Sequence, residues 1–204
     1  MSYVVGIDAS LVRTGITVLR RIEDGPCRPK VLRYCGYSLE NGADWDDRAE
    51  RIIANTHEVA HIIDRLPEKP ELALIEAPIF PKEVLPSYLD RGALWVGIWS
   101  VLRARGITRA SVSPTTLKLW VTGSGRADKD MVLDETRKWW PDLNIPNHDV
   151  ADSAGAAAMC AMKLGWELPF ATRRRHLSGL ATVWSEPGAL DGVVRAANER
   201  LVRR

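Results

Sequence analysis

A chain of 204 residues with 46% apolar side chains can bury one sizeable core but is too short for two full domains. Its 28 Lys and Arg against 26 Asp and Glu leave a formal charge of +2, a balance that many enzymes of small metabolites share and that by itself says little about nucleic acid. No run approaches the roughly 18 to 20 apolar residues of a membrane span, and Cys27, Cys35 and Cys160 are too scattered for a disulfide framework or a zinc cluster, so a soluble, cytoplasmic protein with free thiols and no membrane partner is expected.

In chain order, Tyr3 to Ala9 reads as a strand, Gly15 to Arg20 as its hairpin partner and Lys30 to Tyr37 as a third strand. Trp45, Ala49, Ile52, Thr56, Val59, Ile63 and Leu66 then recur at spacings of four and three. With Asp44 as N-cap and Asp46 and Asp47 in the first turn, this predicts an amphipathic helix that Pro67 and Pro70 stop. Glu71 to Ile75 is a buried strand ending at Glu76, followed by a helix over Ser87 to Arg105 closed by Gly106. Arg109 to Ser113 is a further strand, Pro114 opens a short helix, and Thr122 to Arg126 is a glycine-rich turn. Asp128 to Trp140 and the Ala-rich Asp149 to Leu164 are helices. The pattern predicts an α/β fold: a mixed β-sheet of about five strands flanked by helices.

From residue 101 onward there are 16 Lys and Arg against 11 Asp and Glu, whereas residues 1–100 carry 12 against 15, so the basic excess lies in the second half. Beyond Gly165 the composition changes. Arg173, Arg174 and Arg175 cluster, and Gly188 to Leu201 could form one more helix, which divides the chain into a domain over 1–165 and a basic helical extension over 166–204.

Four acids stand where chemistry needs them. Asp8 ends the first strand, and Glu76 ends a run, Leu-Ala-Leu-Ile, that would bury a charge unless the sheet terminus uses it. Asp149 and Asp152 sit three apart on one helix face, where like charges repel unless a cation neutralises them. Ala151, Ala154, Gly155, Ala156 and Ala157 would let that helix approach the sheet and bring all four together. Such an oxygen cluster suits Mg²⁺, with Mn²⁺ able to substitute, and two ions about 4 Å apart could activate water and stabilise a leaving 3′ oxygen. Taken singly, each acid also has an ordinary reading as a turn or cap residue.

Order and spacing distinguish the readings. Gly6-Ile7-Asp8-Ala9-Ser10-Leu11-Val12-Arg13-Thr14-Gly15 resembles the first-strand motif of the RuvC family of Holliday-junction resolvases. Ala73-Leu74-Ile75-Glu76 resembles its second acidic motif, and Asp149-Val150-Ala151-Asp152-Ser153-Ala154 its closing helix. Ser113-Pro114-Thr115-Thr116-Leu117-Lys118 and Val121-Thr122-Gly123-Ser124-Gly125-Arg126-Ala127-Asp128-Lys129 resemble the basic segment between them. The likeness spans roughly residues 3–164. It implies an RNase H-like fold and a homodimeric, Mg²⁺-dependent endonuclease that resolves four-way junctions. The metal-binding catalytic acids would be Asp8, Glu76, Asp149 and Asp152, with Lys118 and Lys129 holding DNA phosphates.

Gly123 and Gly125 would admit phosphate to backbone N–H groups beside Arg126, and Phe80, in a loop stiffened by Pro78 and Pro81, would be an apolar wedge at the junction. His148 could serve as a proton donor or ligand, or lie on the surface as a helix-start residue. The eight tryptophans fall on helices and read as packing. Ala9-Ser10 stands where the family has Pro-Gly, Ala77-Pro78 replaces a Gln-containing stretch, and the tail beyond Gly165 has no recognised counterpart. Rival readings are a broader debranching nuclease for flaps, Y-junctions and forks, a non-catalytic junction binder, and a phosphotransferase of the actin and sugar-kinase group, whose phosphate loop shares the Asp and Thr-Gly pattern but normally needs a second domain.

Overall fold

The structure, a computed structural model, describes residues 1–78, 87–181 and 183–185. Phe80, Pro81 and the helix expected over 188–201 lie outside the described residues.

Three strands open the fold: β1 (Tyr3–Asp8), β2 (Thr14–Ile22) and β3 (Gly25–Cys35). The outer two are longer than periodicity predicts. Pro26 and Pro29 argue against a strand before Lys30, but β3 is an edge strand, where a missing N–H need not break a ladder. Pro29 also pairs with Leu19 at a register shift that skips Lys30.

Helix α1 (Trp45–Asp64) begins as expected, with the Asp44 carboxylate accepting from the backbone N–H groups of Asp46 and Asp47 at 2.9 Å each. After it come β4 (Leu72–Glu76), α2 (Tyr88–Ala104), β5 (Thr108–Val112), α3 (Pro114–Thr122), α4 (Lys129–Trp139) and α5 (His148–Lys163). Helix α6 (Arg174–Leu180) and the two-residue strand β6 (Trp184–Ser185) close the described chain.

The sheet runs β3-β2-β1-β4-β5-β6, with β1, β4 and β5 mutually parallel and the other pairings antiparallel. These are the five strands expected plus β6, which is too short for any periodicity to reveal. Side chains alternate between the faces. Val5, Ile7, Ala73 and Ile75 meet Val59, Leu94 and Ile98 of α1 and α2, whereas Val4, Leu72 and Leu74 meet Val150, Ala154 and Ala157 of α5 with α3 and α4 around it. Helices on both faces explain why the central strands are continuously apolar. Cys27, Cys35 and Cys160 are free, and among the described residues no helix is long and apolar enough to cross a membrane.

The segment after Gly165 packs on the body in its described part. Trp166 is buried, the Glu167 carbonyl accepts from the Cys27 N–H at 2.8 Å, and Phe170 and buried His176 pack around Trp120. Trp139 and Trp140 are buried, as expected of packing residues, whereas Trp45 is exposed and Trp184 lies on β6 and not on a helix.

Candidate active site

The register Ile7↔Ile75 aligns β1 with β4, so Asp8 and Glu76 leave the sheet side by side at the same edge. Helix α5 crosses this edge. The small residues expected to permit the approach do so, with Ala154 and Ala157 buried against Val4, Leu72 and Leu74, and glycines in the sheet complete it: a methyl on Gly6 would lie 2.0 Å from the Ser153 carbonyl oxygen, and one on Gly15 2.0 Å from that of Asp149. Gly155 instead faces Val121 and Leu117 of α3. The Thr17 and Ser153 hydroxyls meet at 2.8 Å and lock the helix in register. The Asn147 side chain caps α5 by accepting from the Val150 N–H at 3.0 Å, which holds the first turn with Asp149 over the sheet edge.

All four acids line one cleft of about 720 Å³, together with Lys118 of α3 and Lys129 at the start of α4. Burial raises Asp8 well above the ordinary carboxylate range, reinforced by the charges of Glu76, Asp152 and Asp149 and opposed by Lys129. Burial likewise pushes Glu76 up to about 8, with Asp152 and Asp149 adding to it while Lys118 and Lys129 oppose. Asp152 rises to about 6 through burial, which Lys129, Lys118 and His148 moderate and Asp149 augments. Groups coupled in this way titrate as a set.

A stability consequence follows. Native Glu76 holds its proton to about pH 8, whereas an unfolded glutamate releases it near pH 4. Between those values the native state binds more protons, so stability falls as pH rises. In EDTA, the melting temperature is expected to be higher at pH 5 than at pH 8, as calorimetry would show; equal or reversed values would mean that the acids are not crowded.

Among the described residues, none of the four carboxylates has a hydrogen-bond donor or a cation in salt-bridge contact, and Lys118 and Lys129 close no ion pair. Their oxygens are left for solvent or a hard cation, which fits the donor set expected for Mg²⁺. Among the described residues no three acidic, imidazole or thiol groups close on one point, so the acids line the cleft walls without forming a ready-made cage.

Other expected residues are placed differently. His148 pairs through Nε2 with the Asp130 carboxylate at 2.8 Å, and it is not part of the cleft lining. Gly123 is the left-handed C-cap of α3 (φ 92°), and a methyl on Gly125 would lie 2.9 Å from the Thr115 side chain. Neither glycine lines the cleft, nor does Arg126, which is exposed. Phe80 lies outside the described residues.

The cleft wall formed by α2 is not foreseen from the sequence. Tyr88, Leu89, Gly92, Trp95 and Val96 of α2 form it, and the Trp95 indole N–H donates to the Glu76 carbonyl at 3.0 Å while its ring stacks on Trp99 at 4.9 Å. The available signal is that α2 is apolar around its circumference, more than one buried face requires.

The chain is similar to the crossover junction endodeoxyribonuclease RuvC of Prochlorococcus marinus, at 31% identity over 169 residues covering 80% of this chain and 97% of that protein. The RuvC of Parafrankia sp. is 30% identical over 192 residues, covering 93% of this chain and 98% of its own, so the likeness continues past Gly165, where no counterpart is expected. No protein-family model matches. Among solved structures, T. thermophilus RuvC in complex with Holliday junction substrate superposes with a TM-score of 0.66 over 91% of this chain and 100% of that one, at 17% identity. At that identity the likeness shows the shared fold, the RNase H-like arrangement expected from the sequence.

Proposed function

Since the chain belongs to the RuvC family of crossover junction endodeoxyribonucleases, we propose that it resolves Holliday junctions by cutting paired strands, as a homodimer with one cleft per protomer. The observation that carries this is the cleft itself: four carboxylates and two facing lysines that, among the described residues, form no ion pair.

Asp8, Glu76, Asp149 and Asp152 would hold Mg²⁺, which Mn²⁺ could replace, as two ions per site that supply an activated water and stabilise the leaving 3′ oxygen. The protein's own residues do the rest. Lys118 and Lys129 offset the repulsion between an acidic cleft and a polyanion and hold the phosphate beside the acids. Burial raises Glu76 and Asp152, so any cation they hold would compete with protons for their oxygens, and its affinity would rise with pH. Trp95 fixes the Glu76 backbone and lines the cleft.

Labelled four-way, three-way and linear DNA, each incubated with Mg²⁺ or EDTA, tests the reading. Symmetrical cuts in the four-way junction with Mg²⁺ alone are expected; cleavage of linear duplex at the same rate, or none of the junction, would reject it. Lys118→Ala should reduce the slope of log affinity against log salt by about one unit, since one phosphate is then left without its cation. An unchanged slope in a binding titration would place Lys118 away from DNA.

A further inference from the structure

Helix α3 faces two ways. Its first half presents Pro114 and Lys118 to the cleft, and its last turn and Gly123 meet α6. Trp120 is the pivot. Its ring touches Trp139, Phe170 and His176 with centroids 6.1, 5.8 and 4.8 Å away, and its indole N–H donates to the His176 carbonyl at 3.1 Å. Gly179 lets α6 this close, since a methyl there would lie 2.8 Å from the Trp120 ring.

Arg175 acts as the bolt. Its Nε and Nη2 donate to the carbonyls of Trp120 and Val121, each at 3.1 Å, satisfying two acceptors at the C-terminal end of α3, where a cation is also favoured by the helix dipole. Burial and the neighbouring Arg173 hold the Arg175 guanidinium below its usual range, and burial with both arginines pushes His176 down to about 4. Positive charge is therefore crowded here, with Glu135 the nearby acid.

Arg173 and Arg174 do not share the bolt's task. Both are exposed and neither forms an ion pair among the described residues. Lys118 and Gly123 are five residues apart, about 7.5 Å along the helix axis and roughly two base-pair steps of duplex.

We propose that Arg173 and Arg174, next in the chain to the Arg175 that lies against Gly123, form a second phosphate-binding surface that receives the backbone of a DNA arm leaving the cleft. This rests on the nuclease reading and extends it to a segment outside the acid and lysine motifs. Arg175 and the aromatic cluster fix the surface relative to Lys118, and Arg173 and Arg174 supply its charge.

The test uses the full chain and four-way junctions with long or trimmed arms, with affinity followed between about 50 and 200 mM salt. For R173Q/R174Q the slope on long arms should fall by about two units, about 0.9 for each phosphate no longer neutralised. R173K/R174K should keep the slope, and trimming the arms should erase the difference between the Gln variant and the unaltered chain. A long-arm slope that the Gln variant leaves unchanged overturns the proposal while leaving the nuclease reading intact. If the unaltered chain shows no salt-dependent junction binding, the nuclease reading falls and takes this inference with it.

Discussion

Asp8→Asn is expected to lower cleavage at saturating junction by about a thousandfold or more while leaving junction affinity equal or slightly tighter. Losing a charged ligand removes several kcal/mol of transition-state stabilisation, and about 4 kcal/mol corresponds to a thousandfold in rate. Asn keeps the shape and one carbonyl oxygen but not the charge. Affinity is expected to survive because the cations proposed to meet DNA, Lys118 and Lys129, are untouched and one negative charge leaves the cleft that they line. The same substitution should raise the melting temperature at pH 8 in EDTA, since burial and the charges of Glu76, Asp152 and Asp149 penalise a charged Asp8 and the amide escapes both. Greater stability with lost activity separates removal of a ligand from damage to the fold. Retained Mg²⁺-dependent cutting would reject the role given to Asp8, and a lower melting temperature would reject the penalty on its charge.

Much of this organisation is legible along the chain, for identifiable reasons. Central strands buried on both faces leave continuous apolar runs, so Leu72–Glu76 stands out and its terminal acid with it. Helix α1 carries its start in one residue, Asp44, because capping is local chemistry. The early part of β3 is hidden because prolines mark it as irregular unless its edge position is known, and edge position is a property of the whole sheet. The pairing of His148 with Asp130, the Trp95 wall and the seating of α6 on Trp120 join residues 18 to 56 positions apart. No periodicity encodes such contacts. The four acids can be ordered along the sequence, but their meeting depends on how closely a helix lies on a sheet, and two glycines control that distance.

Those glycines give the second large effect. Gly15→Ala should lower stability by about 3 kcal/mol or more, which for a chain of this size means a melting temperature lower by about 6 to 12 °C. The added Cβ would lie 2.0 Å from the Asp149 carbonyl oxygen and 2.4 Å from its carbon, and both are backbone atoms that no rotamer change can clear. Gly6→Ala meets the same obstacle, 2.0 Å from the Ser153 carbonyl oxygen and 2.3 Å from the Ala157 nitrogen, and should cost a similar amount. Gly92→Ala is the contrast. It lies within α2 with nothing inside 4 Å of the new methyl, so replacing glycine there should stabilise by up to about 1 kcal/mol. The two sheet glycines should also differ in function below their melting temperatures. Gly15 touches Asp149, proposed as a catalytic acid, so moving α5 away there displaces that residue, and cleavage should fall further than for Gly6→Ala at matched folded fraction. Calorimetry on the three variants with junction cleavage at a temperature where all are folded decides it; a Gly15→Ala protein that melts with the unaltered chain would mean that α5 does not rest on β2, and the acids would have no reason to meet.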